Sequence, residues 1–198
     1  MIVAGAGVPF RFHQERHEYS IVSTGEVVPH ITGMLERAGL VDDTWYTEDS
    51  RIRGSAVHEL TAAYDLDALD LATCDSPYKA YVCAYAEAMK ILQAEILAIE
   101  QAFLHAIYRY GGRPDRLVII QGRKGVLEIK TGAPEKKVHP IQTALQAILV
   151  EEELQLPADM IERLCLYVKP NGRYSLEEHA SKRDLDTARR IIREQTGR

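Results

Sequence analysis

Two acidic residues and a lysine near the middle of the sequence have the types and spacing that could hold a divalent cation. Glu128 and Lys130 are two residues apart in a β-prone segment, so a strand would place both side chains on one face. Asp115 begins the β-prone run before them. If the two runs pair as a hairpin, both carboxylates approach each other beside the backbone carbonyl of Ile129. Such hard oxygen ligands favour Mg²⁺ or Mn²⁺.

The chemistry that this set would support is phosphoryl chemistry. A bound divalent ion polarises a phosphoryl oxygen and lowers the pKa of a water molecule. Lys130 would orient or activate that water, or neutralise charge that develops on the phosphate. A Glu-x-Lys triplet alone is weak evidence, because it often occurs on exposed strands. Here Leu127 and Ile129 alternate with the charged residues, and a charged pair in a buried strand needs a partner or a metal.

The elements that must position these residues are predicted from hydrophobic periodicity and turn residues. The central element is a hairpin of residues 116–121 and 126–130, joined by 122–125 with a glycine at each end. The other predicted elements, in chain order, are a hairpin of 17–22 and 27–28, a helix over 30–37 closed by Gly39, a helix over 50–64 with Ser50 as N-cap, an irregular connection over 65–75, a long helix starting at Ser76-Pro77, a β-compatible stretch within 93–108, a helix over 140–154, a strand pair of 161–168 and 174–176, and a helix over 182–195.

This order of elements predicts the fold class. Hairpins and helices follow one another without the regular βα alternation of a doubly wound fold. We therefore expect an α/β protein with a central mixed β-sheet flanked by helices. The length of 198 residues suits one domain spanning 1–198.

Three motifs in order resemble the PD-(D/E)XK nuclease superfamily, in its RecB-like and phage-type exonuclease branch. Residues 110–116 read Tyr-Gly-Gly-Arg-Pro-Asp-Arg, 127–132 read Leu-Glu-Ile-Lys-Thr-Gly, and 142–145 read Gln-Thr-Ala-Leu. They are similar to the family's Gly-x-x-Asp, Asp/Glu-x-Lys-Thr and Gln motifs. The resemblance implies a restriction-endonuclease-like core and metal-dependent hydrolysis of DNA. It implies that Asp115 and Glu128 are metal ligands and that Lys130 is the catalytic lysine.

Further similarities extend the set of expected site residues. Residues 53–58 resemble an Arg-Gly-x-x-x-His helix, which implies that His58 completes the metal site. Residues 28–35 are similar to the branch's Pro-Ser-Val-Thr-x-Ile-Leu opening, with His30 in place of Ser. Gln142 would hold a phosphate, the water or a ligating carboxylate, and Gln146 stands where many relatives have Tyr. Glu100 resembles an acid that precedes the Gly-x-x-Asp motif, or is an ordinary carboxylate. The expected substrate contacts are Arg53, Arg113, Thr131 and Gln142.

Charge is distributed unevenly along the chain. The net charge is -5, and residues 40–75 hold nine acids against two arginines, so that segment should avoid phosphate. Residues 109–139 hold eight Lys and Arg against three acids. We expect a local basic face there that contacts nucleic acid.

The number of cysteines and the length of the apolar runs argue against an iron–sulfur protein, a membrane protein and a secreted protein. Three cysteines are too few for the four-cysteine iron–sulfur cluster of some relatives, so we expect no cluster and buried, unpaired thiols. No apolar run reaches the roughly 20 residues that cross a bilayer, and the N-terminus lacks a signal peptide pattern. We expect a soluble, cytoplasmic protein, phage-encoded or cellular, with no membrane partner.

Several alternatives stay open at this point. The exonuclease activity on linear DNA, in recombination, repair or phage DNA metabolism, rests on the resemblance alone. A structure-selective endonuclease and a catalytically inactive nuclease-like DNA-binding module are the competing hypotheses. RNA stays open as a substrate, as do a recombination partner protein and an oligomeric state.

Overall fold

The computed structural model of the protein describes residues 2–3 (backbone only), 8–41 and 47–198. Its regular elements in chain order are β1 (Ile2–Val3), β2 (Phe10–His13), β3 (Glu18–Ile21), β4 (Val27–Val28), α1 (Ile31–Arg37), α2 (Glu48–Asp65), α3 (Lys79–Leu92), β5 (Glu95–Ile99), β6 (Phe103–His105), β7 (Tyr110–Gly112), β8 (Arg116–Ile120), β9 (Arg123–Lys130), α4 (His139–Leu149), α5 (Glu151–Leu154), β10 (Glu162–Val168), β11 (Tyr174–Glu178) and α6 (Lys182–Thr196).

A five-stranded mixed sheet lies at the centre, in the order β11-β10-β9-β8-β5. Strands β9 and β10 are parallel, and every other pair in this sheet is antiparallel. Helix α4 therefore serves as part of the crossover between β9 and β10. The predicted fold class, a central mixed sheet flanked by helices, is confirmed.

The strand period of two divides the apolar side chains of this sheet between two cores. Val126 belongs to one core, with residues of α1, α4 and α6. Leu127 and Ile129 belong to the other, with residues of α2 and α3. By the same alternation Glu128 and Lys130 lie on one face of β9, as the sequence predicted, and this face packs against α4.

A second, four-stranded antiparallel sheet is formed by β1 to β4. The predicted hairpin of 17–22 and 27–28 is its β3–β4 pair, whereas β2 and the short β6–β7 hairpin were not predicted. The β6–β7 hairpin approaches this sheet at Gly111, where an added Cβ would lie 2.3 Å from the ring of Tyr19. This close approach explains why the chain has no side chain at that position.

Several predicted boundaries are wrong, each for a local reason. Thr47 caps α2 instead of Ser50, because its Oγ1 accepts a hydrogen bond from the Ser50 N–H. Ser76 and Pro77 lie ahead of α3, which begins at Lys79. The β8–β9 turn is shorter than predicted, since Gln121 and Gly122 both have positive φ and close it as a two-residue loop.

Three further expectations from the sequence concern the helix over 140–154, the cysteines and membrane-spanning segments. The predicted helix over 140–154 is interrupted after Leu149 and continues as α5. Only Cys165 is a buried thiol, whereas Cys83 is exposed and Cys74 half-buried, so the prediction of buried thiols is partly wrong. Among the helices within 8–41 and 47–198, none is long and apolar enough to cross a membrane.

Candidate active site

The predicted carboxylates meet where β9 runs on beyond the start of β8. Arg116, the first residue of β8, pairs with Leu127, so residues 128–130 of β9 have no strand partner on that side. The carboxylate of Asp115 occupies this place, and its Oδ2 accepts a hydrogen bond of 2.7 Å from the Ile129 N–H. The end of the hairpin thus holds Asp115 beside Glu128, on the face that the strand period predicted.

Glu128 is held by donors on both carboxylate oxygens. Its Oε1 lies 2.9 Å from Lys130 Nζ and accepts a hydrogen bond of 2.6 Å from Gln142 Nε2. Its Oε2 accepts a second bond of 2.6 Å, from Gln146 Nε2. The side chain is 6% exposed, so these contacts replace the water that a buried carboxylate would lose.

His58 on α2 provides a third group, from a distant part of the sequence. Its Nδ1 lies 3.3 Å from Asp115 Oδ1 and 3.9 Å from Glu100 Oε1. The charge of Asp115 raises the pKa of His58 to about 9, so the imidazole is a cation at neutral pH. Burial has the largest single effect on the pKa of Asp115 and raises it, but the charge and hydrogen bond of His58, the charge of Lys130 and the Ile129 N–H together lower this pKa below its usual value.

Lys130 is also held in its charged form. Burial lowers its pKa, yet the charges of Glu128 and Asp115 outweigh burial and raise the pKa above its usual value. Its Nζ also donates a hydrogen bond of 3.1 Å to Gln142 Oε1. A lysine with a raised pKa is a poor proton acceptor, which favours charge neutralisation or water orientation over proton abstraction.

A buried ion pair between Arg116 and Asp65 helps to hold the backbone at Asp115. The Arg116 side chain is 0% exposed, and its Nε lies 2.5 Å from Oδ2 of Asp65 at the end of α2. The same guanidinium donates to the backbone carbonyl of Asp115 at 2.7 Å, and Tyr85 on α3 donates to Asp65. Arg116 therefore helps to place the strand end that carries Asp115.

The expectation of a basic face over 109–139 needs correction. Arg116 is buried, Arg109 is paired with Glu26, and Lys124 Nζ donates to the backbone carbonyl of Leu154 at 3.0 Å. Other cations of the segment face carboxylates, since Arg113, Arg123 and Lys130 pair with Glu100, Glu162 and Glu128. Within the described ranges, Lys136 and Lys137 are exposed and have no ion pair.

Two neighbouring cavities contain the predicted residues. One, of about 450 Å³, is lined by residues that include His58, Glu100, Arg113, Asp115, Glu128, Gln142 and Gln146. The other, of about 610 Å³, is lined by residues that include Arg53, His58, Ile129, Lys130 and Thr131. Gly54 and His58 border both cavities, so the predicted residues surround two adjoining spaces.

The four residues that are expected to contact the substrate differ in how far their polar groups are already hydrogen-bonded or ion-paired. Arg53 Nε donates to Thr131 Oγ1 at 3.3 Å, which holds both residues at the second cavity. Arg113 NH2 lies 3.3 Å from Glu100 Oε2, so Glu100 offsets its charge. Gln142 uses both ends of its amide on Glu128 and Lys130. Of these two arginines, Arg113 has an ion pair, whereas Arg53 has none within the described residues.

The donor chemistry of the site fits a hard divalent cation. Two carboxylates and an imidazole border one cavity, and the Ile129 carbonyl faces the same side as its N–H, toward Asp115, because strand residues orient both groups together. Across the part of the chain that the structure describes, no three or more acidic, His or Cys side chains are already gathered around one point. The amides, Lys130 and His58 occupy the carboxylate oxygens instead, so a cation would replace some of these contacts.

Two residues, His30 and Gln146, differ from the family pattern that the sequence resembles, and the structure shows a hydrogen bond for each. His30 caps α1, since its Nδ1 accepts a hydrogen bond of 3.3 Å from the Gly33 N–H, which is the usual task of a Ser at an N-cap. Gln146 contacts Glu128. Its spacing of four residues from Gln142 on a predicted helix was the signal that could have shown a shared face.

The His58→Ala substitution tests whether His58 is a metal ligand or only a packed residue. If His58 binds the cation, the substitution should weaken Mn²⁺ binding about tenfold, because one of few protein ligands is lost. Thermal stability in chelator should fall as well, because the substitution leaves the buried Asp115 carboxylate without its ion-pair partner. Calorimetric Mn²⁺ titration and thermal unfolding of both proteins give the two quantities. Lower stability with unchanged Mn²⁺ affinity would show a packing role only.

Comparisons with known proteins give limited information. No protein-family model matches the chain, and no match was found among curated proteins. A solved structure of a proposed exonuclease from Eubacterium rectale is similar at 15% identity, over 83% of this chain and 73% of that chain, with a TM-score of 0.47. A second solved structure, of a protein named SSO0001, matches at 17% identity over 83% of this chain and 84% of that chain, with a TM-score of 0.34. At these TM-scores neither likeness supports an inference about activity.

Proposed function

We propose that this protein is a divalent-metal-dependent nuclease that hydrolyses phosphodiester bonds in DNA, built on a restriction-endonuclease-like core. One observation carries the proposal. Asp115, Glu128 and Lys130 converge at the open end of the β8–β9 hairpin, beside a cavity that also receives His58. Burial of two carboxylates with a lysine is costly for stability, which a binding role for the site explains.

Each residue has a distinct role in this proposal. Asp115, Glu128, the Ile129 carbonyl and, once it has lost its proton, the His58 imidazole would hold Mg²⁺ or Mn²⁺. When bound, the ion would polarise the phosphate and lower the pKa of water. Lys130 carries a fixed positive charge that offsets the charge developing on the phosphate. Gln142 holds the side chains of Lys130 and Glu128 in place through its two hydrogen bonds.

The two adjoining cavities suggest how a DNA strand would lie. Gly54 and His58 form their common wall, so a strand that crosses from one cavity to the other passes the carboxylates. Arg53 and Thr131 in the second cavity would contact a neighbouring phosphate. The preference for DNA ends, and a place in recombination, repair or phage DNA metabolism, is supported by the sequence resemblance.

A comparison of linear and covalently closed DNA tests the activity, the metal requirement and the end dependence together. With Mg²⁺ or Mn²⁺ we expect linear DNA to shorten while closed circles persist, because an end-processing enzyme needs a terminus. Addition of a chelator should stop the reaction, since the carboxylates then lack the cation. Agarose and denaturing gels followed over time measure both substrates.

The Lys130→Ala protein, purified in parallel, is the control for contaminating nucleases. Rapid linearisation of pure circles by the unsubstituted protein would identify an endonuclease instead. DNA that is bound and retarded on a native gel but never cut, with either metal, would contradict the proposal in favour of an inactive binding module.

A further inference from the structure

Gln146 is a buried amide whose oxygen has no hydrogen-bond partner among the described residues. It lies on α4 and is 2% exposed. Its Nε2 donates to Glu128 Oε2 at 2.6 Å, whereas its Oε1 is buried and has no hydrogen-bond partner within residues 8–41 and 47–198. A buried acceptor without a partner costs about 1–3 kcal/mol, so a native structure normally supplies a donor.

The neighbouring glutamine shows what is missing. Gln142 lies one helical turn earlier and donates to the other oxygen of Glu128, also at 2.6 Å. Its Oε1 accepts from Lys130 at 3.1 Å, so both ends of that amide are satisfied. An exchange of O and N in Gln146 would not help, because it would place the amide oxygen against the Glu128 carboxylate. The missing donor must therefore come to Oε1 from outside the described protein groups.

The position of Gln146 indicates the source of that donor. Its side chain lines the 450 Å³ cavity together with Asp115, Glu128 and His58. The space is polar and large enough for several water molecules. A magnesium-like cation keeps several of its waters, and these are strong hydrogen-bond donors. The water shell of the cation is thus the donor that fits the cavity.

We propose that Gln146 is a positioning residue of the metal site: Nε2 fixes the Glu128 carboxylate, and Oε1 accepts a hydrogen bond from a water in the cation's shell. The inference rests on the proposed metal-dependent function. It concerns a residue at which the chain departs from the tyrosine of the family it resembles, so it assigns a role specific to this sequence.

Two substitutions separate the donor from the acceptor. Gln146→Met keeps the length and burial of the side chain but removes both groups, and should weaken Mn²⁺ binding about tenfold or more. Gln146→Glu keeps an acceptor oxygen and adds a charge beside Glu128. It should bind Mn²⁺ more tightly than the Met variant, and added Mn²⁺ should raise its Tm more than that of the unsubstituted protein, because the cation relieves repulsion between two carboxylates.

Thr143→Val is the matched control. Thr143 is a buried polar residue of the same helix, bonded to His139 and His179, and it is not among the residues that line the cavity. Its replacement should lower the Tm without changing the Mn²⁺ affinity.

Calorimetric Mn²⁺ titration and thermal unfolding, each with and without chelator, provide the readouts. Unchanged Mn²⁺ affinity in folded Gln146→Met would overturn the role of Gln146 while leaving the proposed function intact. Equal weakening in the Met and Glu variants would overturn the acceptor role. Absence of Mn²⁺ binding by the unsubstituted protein is a different result, because it would overturn the proposed function itself together with this inference.

Discussion

Asp115→Asn, Glu128→Gln and Lys130→Ala should each lower the rate of DNA cleavage by a factor of at least about 10² to 10³. The two carboxylate changes remove a negative charge that would hold the cation, so they should also weaken Mn²⁺ binding. Lys130→Ala leaves both carboxylates in place and removes the charge that would face the phosphate. That variant should therefore bind Mn²⁺ and still fail to cleave.

The hydrogen bonds of the site make one of these variants the cleanest. In Asp115→Asn, the amide oxygen can still accept from the Ile129 N–H, and the amide nitrogen can face a neutral His58. In Glu128→Gln, an amide nitrogen must face one of the donors that now contact the carboxylate, which leaves a buried clash of donors. We expect that change to lower the free energy of unfolding by about 1–3 kcal/mol, and Asp115→Asn to cost less.

A double variant tests whether these groups act as one unit. Combining Asp115→Asn with Lys130→Ala should reduce cleavage little more than either change alone, because groups that act together are not additive. Circular dichroism verifies the fold, and calorimetry measures the Mn²⁺ affinity of each protein. Full cleavage activity in all three folded single variants would refute the assignment of the active site.

Asp65→Ala should destabilise the protein more than any other substitution considered above. It would leave the Arg116 guanidinium charged and without its carboxylate, in a place where that side chain is 0% exposed. Removal of one partner from a buried ion pair costs about 3–5 kcal/mol. Urea denaturation followed by circular dichroism should show this loss, and the Tm should fall by on the order of 10 °C.

Asp75→Ala is the comparison for this measurement, because Asp75 is an exposed carboxylate in the same acidic segment. It should change the free energy of unfolding by less than about 0.5 kcal/mol. Equal effects of the two substitutions would show that the Asp65–Arg116 pair adds nothing to stability. Since Arg116 also donates to the Asp115 carbonyl, Asp65→Ala should reduce Mn²⁺ affinity in whatever fraction remains folded.

The sequence predicts the hairpin and the shared face of Glu128 and Lys130 because both follow from local rules. Strand period, turn glycines and apolar alternation act over a few residues, and they give the order of most helices and strands. The partner of Arg116 could not be predicted in this way, since Asp65 is 51 residues away and either residue reads as a surface charge. Strands β1 and β2 were missed because they are four residues long or shorter.

Gln146 shows a different limit. Its helix and its face were predictable, but its hydrogen bond to Glu128 depends on how closely α4 packs against β9, which periodicity does not specify. The roles of Asp115, Glu128, Lys130 and His58 remain predictions that the substitutions above test.

The site combines contacts between residues that are close in sequence with a contact between residues that are far apart. The hydrogen bonds among Asp115, Ile129, Glu128 and the two glutamines span 14 to 18 residues, whereas His58 reaches Asp115 from α2. Contacts over short separations close small loops and form with little entropic cost. We therefore expect the carboxylates and amides to assemble early in folding, with α2 docking afterwards. A local opening of α2 that leaves Asp65 on Arg116 would then withdraw His58 and Arg53 together and keep the carboxylate cluster in place, so that movement of part of one helix would expose the site to an incoming strand.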